Sequence, residues 1–245
     1  MSDVKYFNFP VTLLKELFED KQKVLTDILY FALYSHSLKM DAEDLYSNSE
    51  FNKFKSAAKF YNVDLGGSDQ DKKNKLKQGK ALFDSIPANS PKVGLNISIF
   101  WDYYKNDKSD FDIACLAAYL AIKSILGTKP YCRTDNSFLW ARMSGNDKAM
   151  KDVSELSEGV KKYANEYQTV KIKTALREGW KLVTYSRYTR GFFVSFTLDL
   201  PALIMEAETR RKSTKEKQYK QQEKDIVSQV LARLKEAPSY PLGSP

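Results

Sequence analysis

The sequence predicts a mainly α-helical protein: a helical N-terminal unit, a second helical unit closed by a two-stranded β-hairpin, and a long C-terminal helix. Three observations predict it. Apolar side chains recur at three- and four-residue intervals in segment after segment of the 245 residues. Two strands are read over Lys181–Tyr185 and Phe192–Leu198, on either side of Ser186–Gly191. Beyond Leu200 a basic run, Arg210–Lys224, leads into Ile226, Val227, Val230, Leu231 and Leu234, an apolar stripe at helical spacing. With 42% hydrophobic and 13% aromatic residues, the chain has ample material for a core.

Taken in order, Phe9-Pro10 followed by Leu13, Leu14, Leu17 and Phe18 reads as an amphipathic helix with proline in its first turn. Val24–Leu38 is a second helix. Glu50–Tyr61 is a third, with Phe51, Phe54, Ala57, Ala58 and Tyr61 in step, before a Gly66-Gly67-Ser68 turn. Lys72–Phe83 is a charged helix. Both prolines of Pro87–Pro91 disfavour helix in the residue before them, which predicts a linker and divides the chain into units at 1–86, 92–205 and 206–245. Leu95–Tyr104 fits a strand or a helix. Ser109 or Asp110 can cap a helix over Phe111–Leu126, apolar around nearly its whole circumference and ended by Gly127 and Pro130. This helix is expected at the centre of the second unit. Thr134 or Asp135 can cap Ser137–Met143, which Gly145 closes, and helical patterning resumes over Val153–Tyr163 and over Gln168–Glu178, with Gly179 as its stop. The last residues, Pro238–Pro245, are expected to be disordered.

Lys and Arg number 39 against 31 Asp and Glu, and the excess is unevenly placed. Residues 1–50 hold five lysines against nine acids. Residues 171–190 hold Lys171, Lys173, Arg177, Lys181, Arg187 and Arg190 against Glu178 alone, and residues 210–224 hold seven cations against Glu216 and Glu223. The positive field therefore lies in the C-terminal third and favours a polyanion there. On a helical wheel Ile172, Ala175, Leu176 and Thr169 fall on one side and Val170, Lys173, Thr174 and Arg177 on the other, with Lys171 flanking.

Helices, then a helix with a cationic face, then a hairpin with a basic tip follow the order of a winged helix-turn-helix. The stretch TVKIKTALREGWKLVTYSRYTRGFFVSF, residues 169–196, resembles that superfamily's recognition helix and wing, and the likeness extends over roughly residues 110–198. It implies double-stranded DNA as the partner, in a transcriptional regulator or a replication-initiation-type protein. Gln168, Thr169, Val170, Lys171, Lys173, Thr174 and Arg177 would then serve the recognition helix, Lys181 its end, and Arg187, Tyr188 and Arg190 the wing. The helix before the recognition helix is either Ser137–Met143 or Val153–Tyr163. Independently of the resemblance, a helix start at Gln168 and Thr169 can donate to phosphate, Lys173 and Arg177 can reach base edges, and loop arginines can enter a narrow minor groove. The competing class is a non-enzymatic adaptor that docks protein on the same helix and hairpin. The C-terminal helix is read as a homodimer or protein-partner helix whose basic half touches DNA, or as a helix folding back on its own domain.

Catalytic signals are sparse. His36 is the only histidine, which excludes paired-histidine chemistry and most zinc sites. Cys115 and Cys132 lack CxxC spacing and form no disulfide framework. Asp102, Asp107, Asp110 and Asp112 match no calcium loop and read as capping residues. Gly66-Gly67 lacks a phosphate loop's ending. No charged leader opens the chain, and its most apolar windows are too short for a bilayer. The expectation is a cytoplasmic non-enzyme with no cofactor, metal or membrane partner.

Overall fold

A computed structural model describes residues 4–40, 49–150, 152–186 and 191–236. The molecule is mainly helical, with two small antiparallel sheets and a long C-terminal helix. The first strand, β1 (Tyr6–Pro10), occupies the place where the sequence predicts a helix start. Phe7 and Phe9 turn inward from it and are fully buried, and Pro10 leads into a 3-10 helix, Val11–Glu16. Proline's fixed φ suits a strand end as well as a first helical turn, and tertiary pairing chose the strand.

Three helices follow: α1 (Lys21–Ser37), α2 (Glu50–Phe60) and α3 (Asp69–Ser85). Each is started by a side chain that accepts a backbone N–H of its first turn: Asp20 from Lys23, Ser49 from Asn52 and Ser68 from Asp71. Helix α3 lies close against α1. A Cβ added at Gly79 would sit 2.5 Å from the Tyr30 carbonyl oxygen. Gly79→Ala gains about 1 kcal/mol of helix propensity but must push a backbone carbonyl aside, at about 1–3 kcal/mol. The expected net result is a lower urea midpoint at unchanged slope.

The segment Leu95–Tyr104 holds both a strand and a helix: β2 (Lys92–Asn96) pairs antiparallel with β1, Phe7 opposite Leu95 and Phe9 opposite Val93, and α4 (Ile97–Lys105) follows directly. The Val11 N–H also donates to the Pro91 carbonyl at 2.9 Å. Pro87–Pro91 is therefore no linker between units, because the strand before the helices and the strand after it are one ladder. Residues Met1–Leu198 form a single compact unit, and Asp199–Pro245 form the other. The expected boundaries at 86 and 205 are corrected accordingly.

Helix α5 (Asp110–Leu126) is buried at the centre of the Met1–Leu198 unit, where the sequence predicts it at the centre of a separate second unit. Ala114, Leu116, Ala117, Ala118, Leu120, Ala121 and Ile122 are wholly inaccessible. Ser109 starts it in a capping box with Asp112, so that aspartate has a local structural role. Asp102 pairs with Lys108 at 2.7 Å.

Helix α6 (Asn136–Met143) packs on α5 and begins at Asp135, whose carboxylate accepts the Phe138 N–H at 2.8 Å. A three-residue strand, β3 (Cys132–Thr134), precedes it where the sequence predicts only a cap. The predicted helix over Val153–Tyr163 is broken into a 3-10 turn, Val153–Glu155, and a single helical turn, α7 (Glu158–Lys161). Helix α8 (Glu166–Trp180) then leads to β4 (Val183–Tyr185) and β5 (Phe192–Ser195). Strand β5 is the middle of a three-stranded sheet, with β3 on one side and β4 on the other. The predicted two-stranded hairpin thus has a third strand. The C-terminal helix is α9 (Leu200–Glu236). No described helix is long and apolar enough to cross a membrane.

Candidate nucleic-acid interface

Helix α8 starts two residues earlier than its apolar spacing predicts because Asn165 caps it. The Asn165 side chain accepts the Gln168 N–H at 2.9 Å, and its carbonyl accepts the Thr169 N–H at 3.0 Å. Those two backbone donors are already used, and Glu166 sits in the first turn. The expected phosphate site at the helix start is therefore corrected: an acidic first turn with satisfied N–H groups repels an anion.

The buried side of α8 follows the wheel, with Thr169, Ile172 and Leu176 inaccessible or nearly so. Thr169 cannot face a groove. Its hydroxyl donates to the Asn165 carbonyl at 2.7 Å and accepts the Trp140 indole N–H at 2.9 Å, joining α8 to α6. That bond ties α6, the predicted Ser137–Met143 helix, to α8, while the helix packed along α8 is α5. At the far end Trp180 packs at a tilt on Tyr119 of α5, 4.1 Å between ring centres, and Phe196 meets the same tyrosine edge-on at 5.2 Å. One α5 residue thus fixes both the end of α8 and the strand beyond it.

Val170, Lys171, Arg177 and Lys181 are exposed, and Gln168 and Thr174 are half-buried. Lys181 ends the helix in the left-handed conformation, φ 56°, so α8 runs past Gly179, the predicted stop. Tyr167, which is not among the residues the sequence points to, belongs on the same face. It is 66% exposed, and the Lys171 ammonium lies 4.5 Å above its ring. The signal for it was present, since Tyr167, Val170, Lys171 and Thr174 are spaced by three and four residues.

Lys173 departs from its predicted place. Its ammonium donates to Asn136 Oδ1 at 3.0 Å and lies 3.3 Å from the centre of the Phe192 ring. It holds together the starts of α6 and β5, inside a hollow of about 260 Å³ lined by Asn136, Glu166, Thr169, Val170, Ser186 and Phe192. Burial pushes its pKa down from 10.5 to about 8, with Glu166 opposing the shift. Its folded value is depressed, so the unfolded chain binds the extra proton between about pH 8 and pH 10.5. Stability contributed by this site therefore rises as pH rises through that window. The expected signature is a melting temperature of the parent that climbs relative to Lys173→Met from pH 8 to pH 10.5; parallel curves would contradict it.

At the hairpin base Tyr185 pairs with Phe193, and the Ser186 hydroxyl donates to the Gly191 carbonyl at 3.2 Å. Gly191 has φ 96°, and a Cβ there would strike the Thr134 carbonyl at the end of β3. Only glycine lets the hairpin return so close to β3. The expected wing contacts Arg187, Tyr188 and Arg190 lie outside the described residues.

Elsewhere His36 stacks on Phe60 at 4.5 Å between ring centres, and burial lowers its pKa, which keeps it neutral at pH 7. Cys115 and Cys132 are buried and form no disulfide, and burial pushes the Cys115 thiol up to about 11. Among the described residues no three His, Cys, Asp or Glu side chains are grouped to hold a metal ion. Comparison with family models, curated proteins and solved structures returns no match.

Proposed function

We propose that residues 110–198 are a winged helix-turn-helix region that binds double-stranded DNA, with α8 as recognition helix and the β4–β5 hairpin as wing. One observation carries the proposal: α8 buries Thr169, Ile172 and Leu176 while exposing Lys171, Arg177 and Lys181, and a hairpin braced by β3 follows it directly. A helix of this kind fits the major groove, and its exposed cations can meet phosphates and base edges. Trp140 and Lys173 act behind the contact surface, fixing α6, α8 and the hairpin to one another. The reading makes the protein a cytoplasmic transcriptional regulator or replication-initiation-type protein without enzymatic activity or cofactor.

Tyr167 and Val170, 66% and 56% exposed, favour a second reading in which the same face docks a protein. Selection of bound sites from a random duplex pool separates the two. Enrichment of a common motif supports DNA binding with sequence readout. A pool that shows no retention at low salt leaves the protein-docking reading in its place.

A further inference from the structure

Helix α9 carries 37 residues, about 55 Å at 1.5 Å per residue. Asp199 starts it by accepting the Ala202 N–H at 2.9 Å. From Lys212 to Ala232 every residue is exposed, so burial does not account for this stretch. Its Lys, Arg, Gln and Glu are good helix formers, which does.

The cations of the helix fall into two groups. At 100° per residue Arg210, Lys217, Lys220 and Lys224 lie within an arc of about 80°, with Ser213 among them and Gln221 at the edge. Glu206 stands on the same line one turn before Arg210, and from Arg210 to Lys224 no acid enters the arc. Arg211, Lys212 and Lys215 lie on the other side, interleaved with Glu208, Glu216 and Glu223. Arg211 is ion-paired there, its Nε 3.2 Å from Glu208. None of the four cations of the acid-free arc forms an ion pair with a described residue.

We infer that this acid-free ridge of α9 is a second duplex-binding surface, one that tracks the phosphate backbone without reading bases. The inference rests on the proposal that the protein binds DNA. From Arg210 to Lys224 the ridge measures about 21 Å, which matches about six phosphates of one strand at 3.4 Å of axis each. A line of cations with hydroxyl and amide side chains between them suits a phosphate backbone, where most contacts come from those side-chain types. A membrane surface is the poorer match, because binding there needs an apolar face beside the basic one, and the exposed apolar residues of α9, Ile226, Val227, Val230 and Leu231, lie beyond the ridge along the helix, with only Tyr219 within residues 210–224.

The test uses the full chain and two variants of equal charge change. Lys217→Gln with Lys224→Gln removes two ridge cations, and Lys212→Gln with Lys215→Gln removes two from the other side. Far-UV circular dichroism checks that both keep the helix. The ridge pair is expected to lower the slope of log affinity against log salt by about two, and the other pair to leave it unchanged. Equal effects from the two pairs, or none from either, overturn the ridge. So does a ridge pair that loses binding to phosphatidylserine vesicles or polyglutamate while its duplex slope stays intact. Failure of the α8 reading looks different: replacing Lys171, Arg177 and Lys181 would then leave binding intact while the ridge pair still lowers the slope.

Discussion

Replacing Lys171, Arg177 and Lys181 together by alanine is expected to lower affinity for duplex DNA about 100-fold at about 100 mM salt and to reduce the salt slope by about three. All three side chains are exposed on or just beyond α8. Each neutralised phosphate contributes about 0.9 to the slope, and loss of each contact costs roughly 1 kcal/mol. Exposed substitutions of this kind shift stability by no more than about 0.5 kcal/mol, so the melting temperature should barely move. Lys173→Ala should behave differently. That lysine ties Asn136 to Phe192, and its loss should disturb the fold of the hairpin root together with binding. Equal binding by the triple variant and the parent would contradict the assignment of α8.

Phe7→Ala is expected to destabilise the whole of Met1–Leu198 by about 3–5 kcal/mol, a large share of a domain's 5–15 kcal/mol. Phe7 is wholly buried, 4.8 Å from the Phe100 ring and 4.9 Å from Tyr61 between ring centres. It sits on β1, opposite Leu95 of β2, and β2 packs on α5, which in turn supports α8. The damage should therefore reach the candidate interface. In native-state hydrogen exchange the amides of α8 should lose as much protection as those of α1. Protection lost in α1 and α2 but kept in α8 would show two independent units divided near Pro87–Pro91.

That result bears on what the sequence could disclose. Helices α1, α5 and α8 are legible because their apolar spacing spans several turns, and Ser109 and Asp135 stand where their side chains can accept a first-turn N–H. Pairing between β1 and β2 is not legible, since it joins residues far apart in the chain and Phe9-Pro10 satisfies a helix start equally well. Strand β3 is three residues long and takes its conformation from β5. The break within Val153–Tyr163 has the same cause, with a helical pattern too weak to hold without packing along its whole length. In the candidate site the cations themselves are visible in the sequence, but their division into contacts and supports is not. Thr169 and Lys173 move to the supporting set because Trp140 and Phe192, remote in sequence, arrive beside them.

The central claim concerns duplex DNA, and anisotropy titration of the unaltered protein on a labelled duplex between about 50 mM and about 200 mM salt tests it most directly. The expected result is saturable binding that weakens steeply with salt, log affinity falling with a slope of at least about three from the α8 cations alone. Absence of binding at the lowest salt, or binding indifferent to salt, would contradict the account.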